Sequence, residues 1–146
     1  MLAITMYIPG NDKESKILRK TLVQNCNLMA VLVFRSISES VEHRLKTLED
    51  VVSAGINQNF FVFVFNSSYH IDYCLDISHS LVHNEGFMTC SEMEYFKAVK
   101  ADVNLFWLPG LWFTRRLREA QIHGRIIDPL GAQLIMKVFI LIKIIS

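Results

Sequence analysis

The sequence predicts an all-α fold, and three observations carry that expectation. Apolar residues recur at helical spacing from residue 12 to 46. Helix start signals stand at Asp12, Thr47, Thr89 and Asp128, and Gly55 and Gly124 sit where the helices should stop. Apolar residues make up 51% of the 146-residue chain and charged ones 20%, a composition that folds rather than one that stays disordered.

In chain order, Pro9-Gly10-Asn11-Asp12 comes first and is a turn, with Asp12 positioned to cap the next helix. Leu18, Leu22, Met29, Val33, Ile37, Val41 and Leu45 then form the stripe of one long helix over 12–46. Ile17, Leu28, Leu32 and Phe34 widen that stripe, so the helix should be buried on more than one side. Thr47, with Asp50 three residues on, opens a short helical turn over Leu48 to Ala54 that Gly55 ends. Thr89-Cys90-Ser91-Glu92 is a capping box leading a helix to about Val99. Asn104 can cap a helix through Phe106, Trp107, Leu111, Trp112, Leu117 and Ile122, ended by Gly124, with Pro109 tolerated near its first turn. Asp128-Pro129 starts the last helix, an acceptor at the cap followed by proline at the first helical position.

Two segments differ in kind. Residues 56–85 contain the β-prone run Phe60-Phe61-Val62-Phe63-Val64-Phe65, which reads either as a buried strand or as an aggregation-prone segment. A polar stretch with three of the five histidines comes after it. The tail, residues 138–146, is a short β-branched run interrupted by Lys143.

Fifteen basic against fourteen acidic residues leave a net charge of +1, which gives no electrostatic ground for a nucleic-acid partner. The expectation is that no segment spans a membrane, since no run of about 18 uncharged apolar residues occurs, and that no signal peptide precedes the fold. Cys26, Cys74 and Cys90 match neither a disulfide framework nor a CxxC motif, so reduced thiols are expected. His70, Asp72, Cys74, Asp76, His79, His83 and Cys90 concentrate ligand chemistry, and His79 and His83 would share a helix face. Their spacing matches no standard zinc pattern, so they read as polar loop residues with no metal assigned. Asn66-Ser67-Ser68 is a weak glycosylation match. Arg115, Arg116 and Arg118 form a small basic patch beside Trp112 and Phe113, open to two readings: an anion site or a solvated helix flank. No nucleophile-base grouping and no glycine-rich phosphate loop appears, so no enzyme activity is expected.

Residue strings add what periodicity does not. Tyr7-Ile8-Pro9-Gly10-Asn11-Asp12, Leu18-Arg19-Lys20-Thr21-Leu22 and Val33-Phe34-Arg35-Ser36-Ile37-Ser38 resemble consecutive blocks of the bestrophin family of anion channels. The resemblance continues in family order through Ser40-Val41, Arg44, Ala54-Gly55, Gly86-Phe87-Met88-Thr89, Phe106-Trp107-Leu108-Pro109, Trp112-Phe113 and Gly124-Arg125-Ile126 to Asp128-Pro129. It covers most of residues 3–137 outside the middle segment. The family reads Ala-Gly-Phe-Met-Thr without a break, whereas residues 56–85 separate the two halves of that motif here. The expected organisation is therefore a bestrophin-like helical region over 1–55 and 86–137, an insertion foreign to the family at 56–85 (a retained intron or gene-model error), and a divergent tail at 138–146. Gly110 stands where the family usually has Trp, and Ile127 where it usually has Arg.

The resemblance implies a homopentameric chloride channel of the plasma membrane. This stretch would be a fragment on the cytosolic side, between two groups of membrane helices. Its implied partners are chloride and other small anions, and further bestrophin-like subunits, with the membrane reached through segments outside the chain. The family's calcium site lies outside the stretch, so no cofactor is expected within it. One pore element carries over: the residue after Asp-Pro narrows the cytosolic exit, which places Leu130 at a pore constriction. The other reading of Leu130 is an ordinary core residue in a first helical turn. The alternative function is a soluble helical interaction fragment that binds full-length subunits or interferes with their assembly.

Overall fold

The structure, a computed structural model, describes residues 2–54, 88–99, 105–126 and 128–144. Among them are seven α-helices and no strand: α1 Leu2–Tyr7, α2 Lys13–Ile37, α3 Glu39–Arg44, α4 Leu48–Ala54, α5 Cys90–Ala98, α6 Trp107–Ile122 and α7 Pro129–Ile144. The all-α expectation is met. The aromatic run 60–65, the His and Cys cluster between His70 and His83, the sequon, Gly55, Asn104 and Ile127 lie outside the described residues.

The chain divides into two compact units, residues 1–29 with 107–146 and residues 30–106, and the division falls inside α2. In the first unit α7 packs against α1 and α6. Its buried side chains include Ile4, Ile8, Leu22, Leu28, Phe113, Leu117, Ala132 and Ile135. The periodicity did not indicate α1, six residues with β-branched Ile4 and Thr5. So short a helix does not persist on propensity, and burial of Ile4 and Ile8 against the unit's core supplies what propensity lacks. In the second unit Val41, Leu45, Val51, Met88 and Phe96 are buried.

α2 is buried at nearly every position from Leu22 to Val33, as its widened stripe predicts. One correction concerns this region. The helix expected over 12–46 is two helices, because Ser38 turns to extended backbone (φ −124°, ψ 110°) and its carbonyl accepts from Val41 and Glu42 to start α3. Ser36, two residues before the break, donates its hydroxyl to the Val33 carbonyl at 2.6 Å. α2 is long and apolar enough to cross a membrane by length and composition alone, and this leaves the expectation of no spanning segment neither met nor overturned. Most of that stretch is buried, as the core helix of a soluble protein would also be.

The start signals at Thr47 and Thr89 hold. Thr89 and Glu92 form a reciprocal capping box, with Glu92 N–H donating to Thr89 Oγ1 at 3.2 Å and Thr89 N–H to Glu92 Oε2 at 2.9 Å. Thr47 and Asp50 do the same for α4, and those hydrogen bonds hold the Asp50 carboxyl below its usual range. Lys97 on α5 pairs with Glu49 on α4 and lowers the Glu49 pKa. The tail set apart by composition continues α7 as helix to Ile144.

Candidate functional site

The candidate site is the α6–α7 connection and the first turn of α7, both in the first unit. α6 ends in a Schellman motif. Arg125 N–H reaches back to the Ala120 carbonyl at 2.9 Å and Gly124 N–H to Gln121 at 3.1 Å. The motif requires left-handed backbone at Gly124, which has φ +67°. The chain so turned delivers Arg125 toward the start of α2.

There Arg125 gathers three partners. Its Nη1 donates to Asp12 Oδ2 at 2.6 Å and to Ser15 Oγ at 3.2 Å, and its Nη2 pairs with Glu14. Asp12 is the N-cap the sequence predicts, accepting from Ser15 N–H at 3.2 Å and Ser15 Oγ at 2.7 Å. The Ser15 hydroxyl, and then the Arg125 guanidinium, hold the Asp12 carboxyl well below the ordinary carboxylate range. A second arginine fixes the preceding turn: Arg19 donates to the carbonyls of Ile8 (2.8 Å) and Gly10 (2.7 Å). Gly10 has φ +122°, and a Cβ there would stand 2.7 Å from Asp12 Oδ1. The start of α2 is therefore pinned on both sides by arginine.

α7 begins as expected. Asp128 Oδ1 accepts the Leu130 N–H at 2.9 Å, with Pro129 in the first helical position. Leu130, the sequence-predicted pore residue, is 64% exposed and so is not a core residue of this chain. Leu134, one turn on, is exposed as well, while Ala132 and Ile135 between and beside them are buried. Gly131 lies directly over α1: a Cβ there would come within 2.3 Å of the Tyr7 ring. Close contact at Gly131 thus orients α7 so that the Leu130 side chain is left facing outward.

Arg115, Arg116 and Arg118 are all exposed on α6, with Arg115 Nε bonded to Glu119 at 3.0 Å. No group of three or more His, Cys, Asp or Glu residues able to hold a metal occurs among the described residues. Cys26 is buried with a free thiol. Sequence reasoning missed the Arg125 and Arg19 anchors. Their only signal was membership of the blocks Gly124-Arg125-Ile126 and Leu18-Arg19-Lys20-Thr21-Leu22, because Asp12 and Arg125 are 113 residues apart.

Most of the chain is similar to known proteins. Residues 1–67 match the family model described as bestrophin, RFP-TM, chloride channel. Bestrophin-3 of Homo sapiens is 29% identical over 136 residues, 93% of this chain and 16% of that protein. Bestrophin-1 of Sus scrofa is 29% identical over 133 residues, 91% of this chain and 18% of that protein. Bestrophin homolog 5 of Caenorhabditis elegans is 35% identical over 125 residues, 86% of this chain and 21% of that protein. The chain is a bestrophin relative. It spans about a fifth or less of the length of these proteins. The family match ends at residue 67, inside the segment that composition sets apart. In this bestrophin-related chain Arg125 and Asp128-Pro129-Leu130 all belong to the first unit.

Proposed function

We propose that the chain is a segment of an anion-channel subunit, acting within a pentamer whose membrane-crossing parts lie outside these residues. Similarity to bestrophins over 91–94% of the chain, in family order, carries the reading. Leu130 lines the cytosolic constriction. Five copies of α7 around an axis would present five leucines at five helix N-termini. A narrow apolar ring disfavours water and ions, while helix N-terminal dipoles favour anions over cations. Asp128 moderates that preference, since its carboxylate caps the same helix. The outward side chain of Leu130, and the Gly131 contact that orients it, support the assignment. Anchoring by Arg125 keeps the approach to α7 in place.

The test is a graft. This segment replaces the matching stretch of Bestrophin-1, and anion current is recorded with and without Leu130→Ala. A wider ring should raise current or relax discrimination among anions of different size. A graft that conducts with Leu130→Ala indistinguishable from the parent rejects the pore role. A graft that assembles and never conducts rejects the channel role.

The exposed apolar residues Leu130 and Leu134 also favour the second reading, a piece that associates with full-length subunits without conducting. Co-expression of the 146-residue chain with Bestrophin-1 separates the two. Reduced current with co-purification supports interference, and unchanged current with no co-purification removes it.

A further inference from the structure

Leu130 can form a constriction only if something behind α7 fixes how far that helix stands from the axis of the ring. On α7 the buried Gly131, Ala132 and Ile135 fall within an arc of about 100°, and the exposed Leu130 lies about 150° from the middle of that arc. A helix that turns Leu130 toward an axis therefore backs its buried arc onto the unit behind it. α1, in the same unit, is part of that backing. The Tyr7 ring meets Gly131 so closely that a Cβ there would stand 2.7 Å from Tyr7 Cγ and 3.1 Å from Tyr7 Cβ. Since glycine has no Cβ, the α7 backbone itself rests on the ring.

The ring is in turn held from behind. Ile4, one turn before Tyr7, and Ile8, next to it, are both buried, and Ile8 N–H donates to the Ile4 carbonyl at 3.1 Å. The Ile8 carbonyl accepts from Arg19 of α2 at 2.8 Å, which ties the end of α1 to the longest helix. Arg19, Ile8, Tyr7, Gly131 and Leu130 thus form one chain of contacts and covalent neighbours.

We infer that Tyr7 is the spacer that sets the radius of the Leu130 ring, a positioning residue acting through Gly131. The inference rests on the pore role proposed above for Leu130. Packed interiors leave few voids, and a site emptied of a ring collapses in part. Without the ring, α7 settles back toward α1 and Leu130 withdraws with it. A withdrawal of about 1 Å in each of five subunits widens the exit by about 2 Å across. Passage through an apolar constriction depends on its diameter, so the change reads out as which anions pass.

Reversal potentials of the Bestrophin-1 graft test this, because they do not depend on how many channels reach the surface. External chloride is replaced by gluconate, a larger anion, and the resulting shift is measured. Tyr7→Ala should shrink that shift, in the same direction as Leu130→Ala. Tyr7→Phe keeps the atoms that meet Gly131 and should restore the parent's value. In a Leu130→Ala background Tyr7→Ala should add little, because the side chain whose placement it changes is gone. If Tyr7→Ala does not assemble, Tyr7→Leu, which fills more of the space, is read in the same way. A Tyr7 that only stabilises the fold would lower current and leave every reversal potential in place, which would overturn the inference. So would a Tyr7→Phe effect as large as that of Tyr7→Ala, or full additivity with Leu130→Ala. A graft whose selectivity ignores Leu130→Ala removes the pore role and the spacer together. One sensitive at Leu130 and insensitive at Tyr7 removes the spacer alone.

Discussion

Gly131→Ala should weaken the first unit although alanine is the better helix former. The added methyl carbon would stand 2.3 Å from Tyr7 Cδ1, 2.7 Å from Cγ and 3.1 Å from Cβ. Carbon atoms pack comfortably at about 3.5–4.0 Å, so the overlap exceeds what small bond-angle changes absorb. The struck atoms are the root of the Tyr7 ring rather than a flexible end, and they cannot retreat unless α1 shifts. Overpacking of this kind costs about 1–3 kcal/mol. Replacing glycine within a helix returns up to about 1 kcal/mol. The net expectation is destabilisation by about 1–2 kcal/mol, felt first in α1. Amide hydrogen exchange on the detergent-solubilised chain would show faster exchange in α1 and the first turns of α7, with α4 and α5 unchanged. Tyr7→Ala supplies the partner of a double-mutant cycle. With the ring gone, Gly131→Ala should be neutral or stabilising, giving a coupling of about 1–2 kcal/mol. Protection of α1 that is unchanged or increased in Gly131→Ala alone would refute the packing argument.

Three further outcomes are expected. The Asp12 carboxyl is held below its unfolded value, so its stabilisation is complete above the ordinary carboxylate pKa of about 3.9 and fades as pH falls through the folded value. Urea midpoints of the parent and Asp12→Asn should therefore converge only on acidification, and a constant difference down to about pH 2 would dismiss the Arg125–Asp12 clamp. Gly124→Ala should cost about 1 kcal/mol by the same unfolding measurement, purely from left-handed backbone, because no atom lies within 4 Å of its would-be Cβ. Asn25 is buried and its Nδ2 has no hydrogen-bond partner among the described residues, so Asn25→Leu should stabilise by about 1 kcal/mol, read as a higher urea midpoint.

Much of the architecture was legible because it is local. Thr89 with Glu92, Thr47 with Asp50, and Asp128 with Leu130 each close their hydrogen bonds within three residues, so residue types at short spacing suffice to place α5, α4 and α7. Gly124 ended α6 for the same reason: a left-handed C-cap leaves few alternatives to glycine. The wide stripe on α2 announced its burial. The break at Ser38 was not legible, because the apolar period runs through it to Val41 and Leu45 while the backbone turns. Helix α1 was missed because packing, not propensity, supports it. The exposure of Leu130 could not be read either, since a leucine in a first helical turn is more often covered.

Chain composition and short-range pattern thus decided that the polypeptide is helical, where most helices start and stop, and which family its ordered blocks resemble. These depend on interactions spanning a few residues, which any reader of the chain can enumerate. Folding in three dimensions alone decided that Arg125 closes on Asp12, Glu14 and Ser15, that Gly131 meets Tyr7, and that Leu130 faces outward. The Arg125 and Gly131 pairings join residues more than a hundred positions apart, and no local spacing encodes which distant partner will occupy the space.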